Sequence, residues 1–210
     1  MRHIRATSVG WTVNFRENIG IYIFILMVFI IGIVLGAMAM KSLDYGQKAE
    51  LFSYVSLFVR GLVEGTGVKS PGFGQVALSH VKTSALLWVL GLSVVGMPVV
   101  AAVIFMRGFI LGFTVGFLAM EMGWRGMLFA AVSVFPQNIL AVPVALAAAT
   151  WSVSFSWFLV RRRRSPDPLL PEIFRYTVLC AMAAAVLLVA GMVETYISPA
   201  LMKLVSGYIS

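Results

Sequence analysis

The sequence predicts an all-α fold: a polytopic membrane helical bundle of about five transmembrane helices. The fourth is expected to be kinked or broken, and an amphipathic helix lies outside the membrane. Composition is the first reason. The chain has 210 residues, 60% of them hydrophobic and only 11% charged, whereas a soluble domain is nearer half apolar and a quarter charged. The mean hydropathy is +0.97. The second reason is length: several apolar stretches run about 18 residues or more with little charge, enough to cross a bilayer. The whole chain, 1–210, reads as a single integral membrane domain.

The first span, 19–40, is entered by Arg16, Glu17 and Asn18 and left at Lys41. The basic N-terminus before it resembles the start of a signal peptide, and "GAMAMKS" at its end carries the small residues a cleavage site uses. The apolar run exceeds a usual signal core, which favours an uncleaved signal anchor. Next, 48–64 reads as an amphipathic helix, with Leu51, Phe52, Val55, Phe58, Val59 and Leu62 on one stripe. Lys48, Ser53, Ser56 and Arg60 fall mostly opposite. The glycine- and proline-bearing "EGTGVKSPGFGQ" (64–75) is a turn region.

The second span is expected over 83–106, kinked at Pro98. Arg107 and Gly108 then make a tight reversal into a third span over 109–120, and "EMGWRG" (121–126) makes another turn. The fourth apolar stretch, 127–160, is too long for one straight crossing. It contains Pro136, in "FPQN", and Pro143; each removes a backbone donor, so a broken helix is expected. A fifth span occupies 173–196, and the tail "SPALMKLVSGYIS" fits a short interfacial helix.

Lysine and arginine set the expected orientation. With the N-terminus in the cytoplasm, the inner side holds Arg2, Arg5, Arg16, Arg107, Arg161, Arg162, Arg163, Arg164 and Arg175. The outer side holds Lys41, Lys48, Arg60, Lys69, Lys82, Arg125 and Lys203. The totals are close, and the run Arg161 to Arg164 decides as the cytoplasmic anchor. Five crossings then place the C-terminus outside. The net charge of +8 flanks apolar spans without interleaved aromatics, so it points to topology and anionic lipid, and nucleic acid is not an expected partner. Cys180 is the only cysteine, which excludes an intramolecular disulfide.

Gly108, Gly112 and Gly116 recur every fourth residue in an apolar run, and Gly32 and Gly36 form a shorter notch in the first span. Each glycine costs roughly 1 kcal/mol in a soluble helix. In lipid, close packing is a main attraction between helices, and glycines make contact surface. Packing within the bundle is favoured, with a homodimer face as the alternative.

Gln137 and Asn138 are the conspicuous polar residues at membrane depth, and an unpaired amide in hydrocarbon costs several kcal/mol. A hydrogen-bonded staple for the proline break is favoured over a substrate or ion site at a broken helix. His80 is a weak metal candidate that would need partners such as Asp44, Glu64 or Glu194. No HExxH, GxSxG or paired-aspartate signature is present, so neither an enzyme nor a cofactor is expected.

"FMRGFILGFTVGFLAMEMGWRGMLFAAVSVFPQNILAVP", supported by "DPLLPEIFRYT" and "ETYISPALM", resembles the stage II sporulation protein M family of endospore-forming bacteria over essentially the whole chain. The resemblance implies a membrane scaffold for forespore engulfment that recruits and positions septal peptidoglycan hydrolases. Its implied partners are stage II sporulation protein P, an amidase and endopeptidase, and stage II sporulation protein D, a lytic transglycosylase. Their implied setting is the mother-cell septal membrane. The Leu51–Leu62 stripe is the candidate partner surface; capping the bundle or resting on the membrane is its structural alternative. The competing function is a transporter or permease-like module with its polar site at the broken fourth helix, which a cavity reaching Asn138 would favour.

Overall fold

The computed structural model describes residues 18–64, 72–93, 95–161, 169–198 and 200–201, with the backbone alone over 58–64. All its regular elements are helical. Helix α1 (Ile19–Ala39) closes in a 3-10 turn (Met40–Ser42). It is followed by α2 (Tyr45–Glu64), α3 (Phe73–Leu92), α4 (Gly96–Arg161) and α5 (Leu170–Met192), which ends in a π-helical turn (Val193–Ile197). Among the described residues, three helical stretches are long and apolar enough to cross a membrane: Ile19–Ser42, Gly96–Arg161 and Leu170–Ile197. In α3, by contrast, Gln75, His80 and Lys82 interrupt the apolar run.

α4 is two helices in sequence. Gly123 adopts φ 57° and ψ −137° between them, a left-handed backbone that a side chain would strain. The arms, 96–122 and 124–161, fold back on each other, and a methyl at Gly126 would collide with the Leu118 carbonyl. The reversal predicted at "EMGWRG" therefore falls where its glycine permits it. The one predicted at Arg107–Gly108 does not exist, because the helix runs through both residues. That reversal falls instead between the end of α3 at Leu92 and the start of α4 at Gly96, and Ser156 Oγ donates 2.7 Å to the Ser93 carbonyl there. Pro98, predicted as a kink, lies in the first turn of the next helix, where its missing N–H has no intrahelical partner to lose. The spans expected over 83–106 and 109–120 are thus replaced by a helix beginning at Phe73 and an arm beginning at Gly96.

α1 packs on the first arm of α4 through the glycines. A methyl at Gly108 would strike the Phe29 carbonyl, one at Gly112 the Ile33 carbonyl, and one at Gly116 would sit 3.1 Å from Ala37 Cα. Methyls at Gly32 and Gly36 would strike the carbonyls of Phe105 and Phe109. Residue numbers rise together on both helices, so the two run parallel, backbone against backbone. The segment 152–156 of the second arm passes through the centre of the bundle: Ser152, Val153, Ser154, Phe155 and Ser156 are consecutive and all buried, as in an interior stretch of helix, whereas Phe135 and Ile139, nearer the reversal, are exposed. The core around it joins Ile25, Leu87, Ile104, Ala149 and Ala183.

A polar cavity at mid-bundle as the candidate functional site

The Gly108–Phe29 approach fixes the height of Arg107. Phe29 lies midway along α1, a helix without a charged residue, so Arg107 enters the bundle near the middle of its most apolar wall. Placing arginine at the centre of a spanning helix costs about 3 kcal/mol on insertion scales, and such residues face cavities or partners. Arg107 does face a cavity. Its volume is about 410 Å³, within the range of small-molecule sites, and its lining includes Ser79, His80, Arg107, Gln137, Asn138 and Glu194.

Four segments supply these groups. α3 contributes Gln75, Ser79 and His80 from its first two turns; the first arm of α4 contributes Arg107, and the second arm Gln137 and Asn138. The π-helical turn after α5 contributes Glu194. That turn stacks against α3: Gly191 lies beneath His80, whose Cδ2 would be 3.1 Å from an added methyl. His80 is buried, and its Nε2 lies 3.3 Å from Glu194 Oε2. The pair is ionic when the imidazole is protonated and a hydrogen bond when it is neutral. Glu194 also acts electrostatically on Arg107. The buried Arg107 Nη1 has no hydrogen-bond partner.

Asn138 Nδ2 donates 2.7 Å to the Val134 carbonyl, spanning Pro136. Pro136 and Pro143 both lie inside the second arm, and the break in α4 is at Gly123. Asn138 therefore ties the helix across its proline while lining the cavity. The sequence singles out Gln137, Asn138 and His80, and names Glu194 as a partner for His80. It places Glu194 at a helix end and spends Arg107 on a loop; the structure brings both into one site. Among the described residues, no three histidine, cysteine, aspartate or glutamate side chains converge on a metal position. His80 has Glu194 beside it.

The amphipathic stripe divides. Leu51 and Val55 pack on a cluster of Met40, Phe117, Leu118, Phe129 and Ala130 where α4 folds back. Phe52 is 42% exposed, and Tyr54 and Leu57, outside the predicted stripe, are 64% and 62% exposed. The side chains of Phe58, Val59 and Leu62 lie outside the described residues, as do Arg162, Arg163 and Arg164. Arg161 sits over the Trp157 ring at 5.5 Å.

At the opposite end is a polar lock that the sequence did not announce. Ser152 Oγ lies 2.9 Å from the Leu87 carbonyl and 3.0 Å from Tyr176 Oη. Tyr176 stacks on Phe155 with centroids 4.5 Å apart. Ser154 Oγ donates to Asn18 Oδ1 at 2.9 Å. The signal was available in "WSVSFSW", where small hydroxyl residues in an apolar run serve interhelical contacts. These groups satisfy one another, which sets them apart from Arg107.

Fold and cavity together define an all-helical membrane protein with a charged site between its helices. No curated protein and no solved structure matches the chain. A model of the family described as stage II sporulation protein M matches residues 25–199, and the chain belongs to that family. It is a sporulation-related membrane protein, and the family is not a known enzyme family.

Proposed function

We propose that this protein is a multi-pass membrane scaffold of forespore engulfment, recruiting and positioning septal peptidoglycan hydrolases, with stage II sporulation proteins P and D as its partners. Beside family membership, one observation carries the reading. α2 docks on the bundle through Leu51 and Val55 and leaves Phe52 exposed on one flank and Tyr54 with Leu57 on the other, apolar and aromatic side chains of the kind protein partners cover. The scaffold works in the mother-cell septal membrane, with the N-terminus in the cytoplasm and five crossings. α4 contributes two of them and α3 one.

The test is pull-down of the tagged protein, solubilised from sporulating cells, with mass spectrometry of the co-purifying proteins. Wild type is expected to retain both hydrolases. The triple variant Phe52→Ser, Tyr54→Ser, Leu57→Ser is expected to lose them at unchanged abundance. Full retention by a stable triple variant refutes α2 as the docking surface, and no hydrolase with wild type refutes the scaffold. The cavity favours a second reading, a permease-like module whose path includes Arg107 and Asn138. An ATPase subunit in place of hydrolases would put that reading first.

A further inference from the structure

We propose that the mid-bundle cavity is a binding site for a phosphate group, received by Arg107. This goes beyond the scaffold reading and does not rest on it. The first support is the unpaired cation. Arg107 Nη1 is buried without a hydrogen-bond partner, although buried polar atoms are nearly always paired. The nearby acid does not satisfy it: Glu194 spends Oε2 on His80 at 3.3 Å, and among the described residues no Arg107–Glu194 salt bridge is made. Nη1 itself is closed off from the space, so it is the rest of the guanidinium, lining the cavity without a salt bridge among the described residues, that is left for a group the chain does not itself supply.

The second support is the shape and chemistry of the space. At about 410 Å³ the cavity is far larger than a water or a bare ion requires. Beside Arg107 and the His80–Glu194 pair, its polar groups Gln75, Ser79, Gln137 and Asn138 are neutral and can donate to phosphate oxygens, while the Glu194 carboxylate opposes an anion. Guanidinium is the side chain that matches phosphate with two parallel hydrogen bonds. The exposed Gln75, in the first turn of α3, and the half-exposed Ile110 both line the space. It therefore runs from one end of α3 down to the depth of Arg107 and is open to a ligand from outside. A lipid headgroup and free phosphate present the same chemistry, and the test separates them.

The experiment uses the full chain in a non-ionic detergent, with its thermal unfolding midpoint followed by tryptophan fluorescence. The titrants are dioleoylphosphatidylglycerol, dioleoylglycerol as the same chains without phosphate, and sodium phosphate. A saturable upward shift with phosphatidylglycerol and not with dioleoylglycerol is expected; a shift with sodium phosphate identifies free phosphate as a sufficient ligand. Arg107→Gln is expected to weaken the apparent affinity at least tenfold without lowering the ligand-free midpoint, since it removes an unpaired charge. Glu194→Gln is expected to tighten it, because the acid competes for the same cation. Arg161→Gln, at the other end of the bundle, is expected to bind as wild type.

No shift with either phosphate compound overturns the proposal, and so does wild-type affinity in Arg107→Gln. If Arg107→Gln does not fold, Glu194→Gln decides: tighter binding supports the site, and unchanged or weaker binding overturns it.

Discussion

Glycine and arginine set the terms at single positions in this bundle. At Gly112 the α1 backbone is so close that any side chain meets the Ile33 carbonyl, which cannot rotate away. Gly112→Leu is expected to destabilise by about 3 kcal/mol, the upper end for overpacking, as a fall in unfolding free energy in mixed micelles. Gly74→Ala, with nothing within 4 Å of the added methyl, is expected to gain up to roughly 1 kcal/mol from helix propensity. Equal losses at both positions would refute the ladder as a contact face. The ladder was legible in the sequence because a spacing of four needs no tertiary information. Arg107 was not. One charge beside a glycine in an apolar run is the pattern of a loop, and only the cavity explains why a helix carries it through. Glu194 does sit at a helix end, one-third exposed in the turn after α5; what the hydrophobic run does not reveal is that α5 packs so that this carboxylate meets His80.

Between elements, the second arm of α4 is held to α3 and α5 by hydroxyls. Tyr176 Oη reaches the Leu87 carbonyl at 3.1 Å and the Trp88 carbonyl at 3.2 Å, and it occupies the space that a side chain at Gly91 would need. Tyr176→Phe is expected to cost about 1 kcal/mol, the net worth of a hydrogen bond. Gly91→Ala is expected to cost more, because the added methyl meets the tyrosine hydroxyl and ring together. Combining them removes part of that collision, so the double variant should cost less than the sum. Strict additivity in unfolding free energies would show that the two residues do not share the space. The prolines teach the complementary lesson about reading elements. Pro136 and Pro143 have the local chemistry of a break, yet Asn138 ties its turn across Pro136, and Gly123 supplies the actual reversal. Backbone donors lost to proline predict a weak point; which weak point turns the chain depends on what packs there.

At the scale of the whole molecule, orientation is decided by where the basic residues end up. Moving Arg107 and Lys82 from loops into helices leaves eight inner basic residues against six outer ones, and Arg161 to Arg164 supply half of the inner set. The chain is well suited to a direct test, because its only cysteine, Cys180, is buried and should give little labelling. Tyr45, 87% exposed, begins α2 beyond the end of α1, and Leu170, 79% exposed, begins α5. Five crossings with the N-terminus inside put position 45 outside and position 170 in the cytoplasm. In protoplasts, a membrane-impermeant maleimide is therefore expected to label Tyr45→Cys at once and Leu170→Cys only after permeabilisation. The reverse pattern would invert the bundle and place α2, with its exposed aromatics, in the cytoplasm, away from any wall hydrolase. Labelling of both in intact protoplasts would mean an even number of crossings between them. Either α3 or one arm of α4 would then fail to cross, and if that arm were the first, Arg107 would no longer lie in a membrane at all.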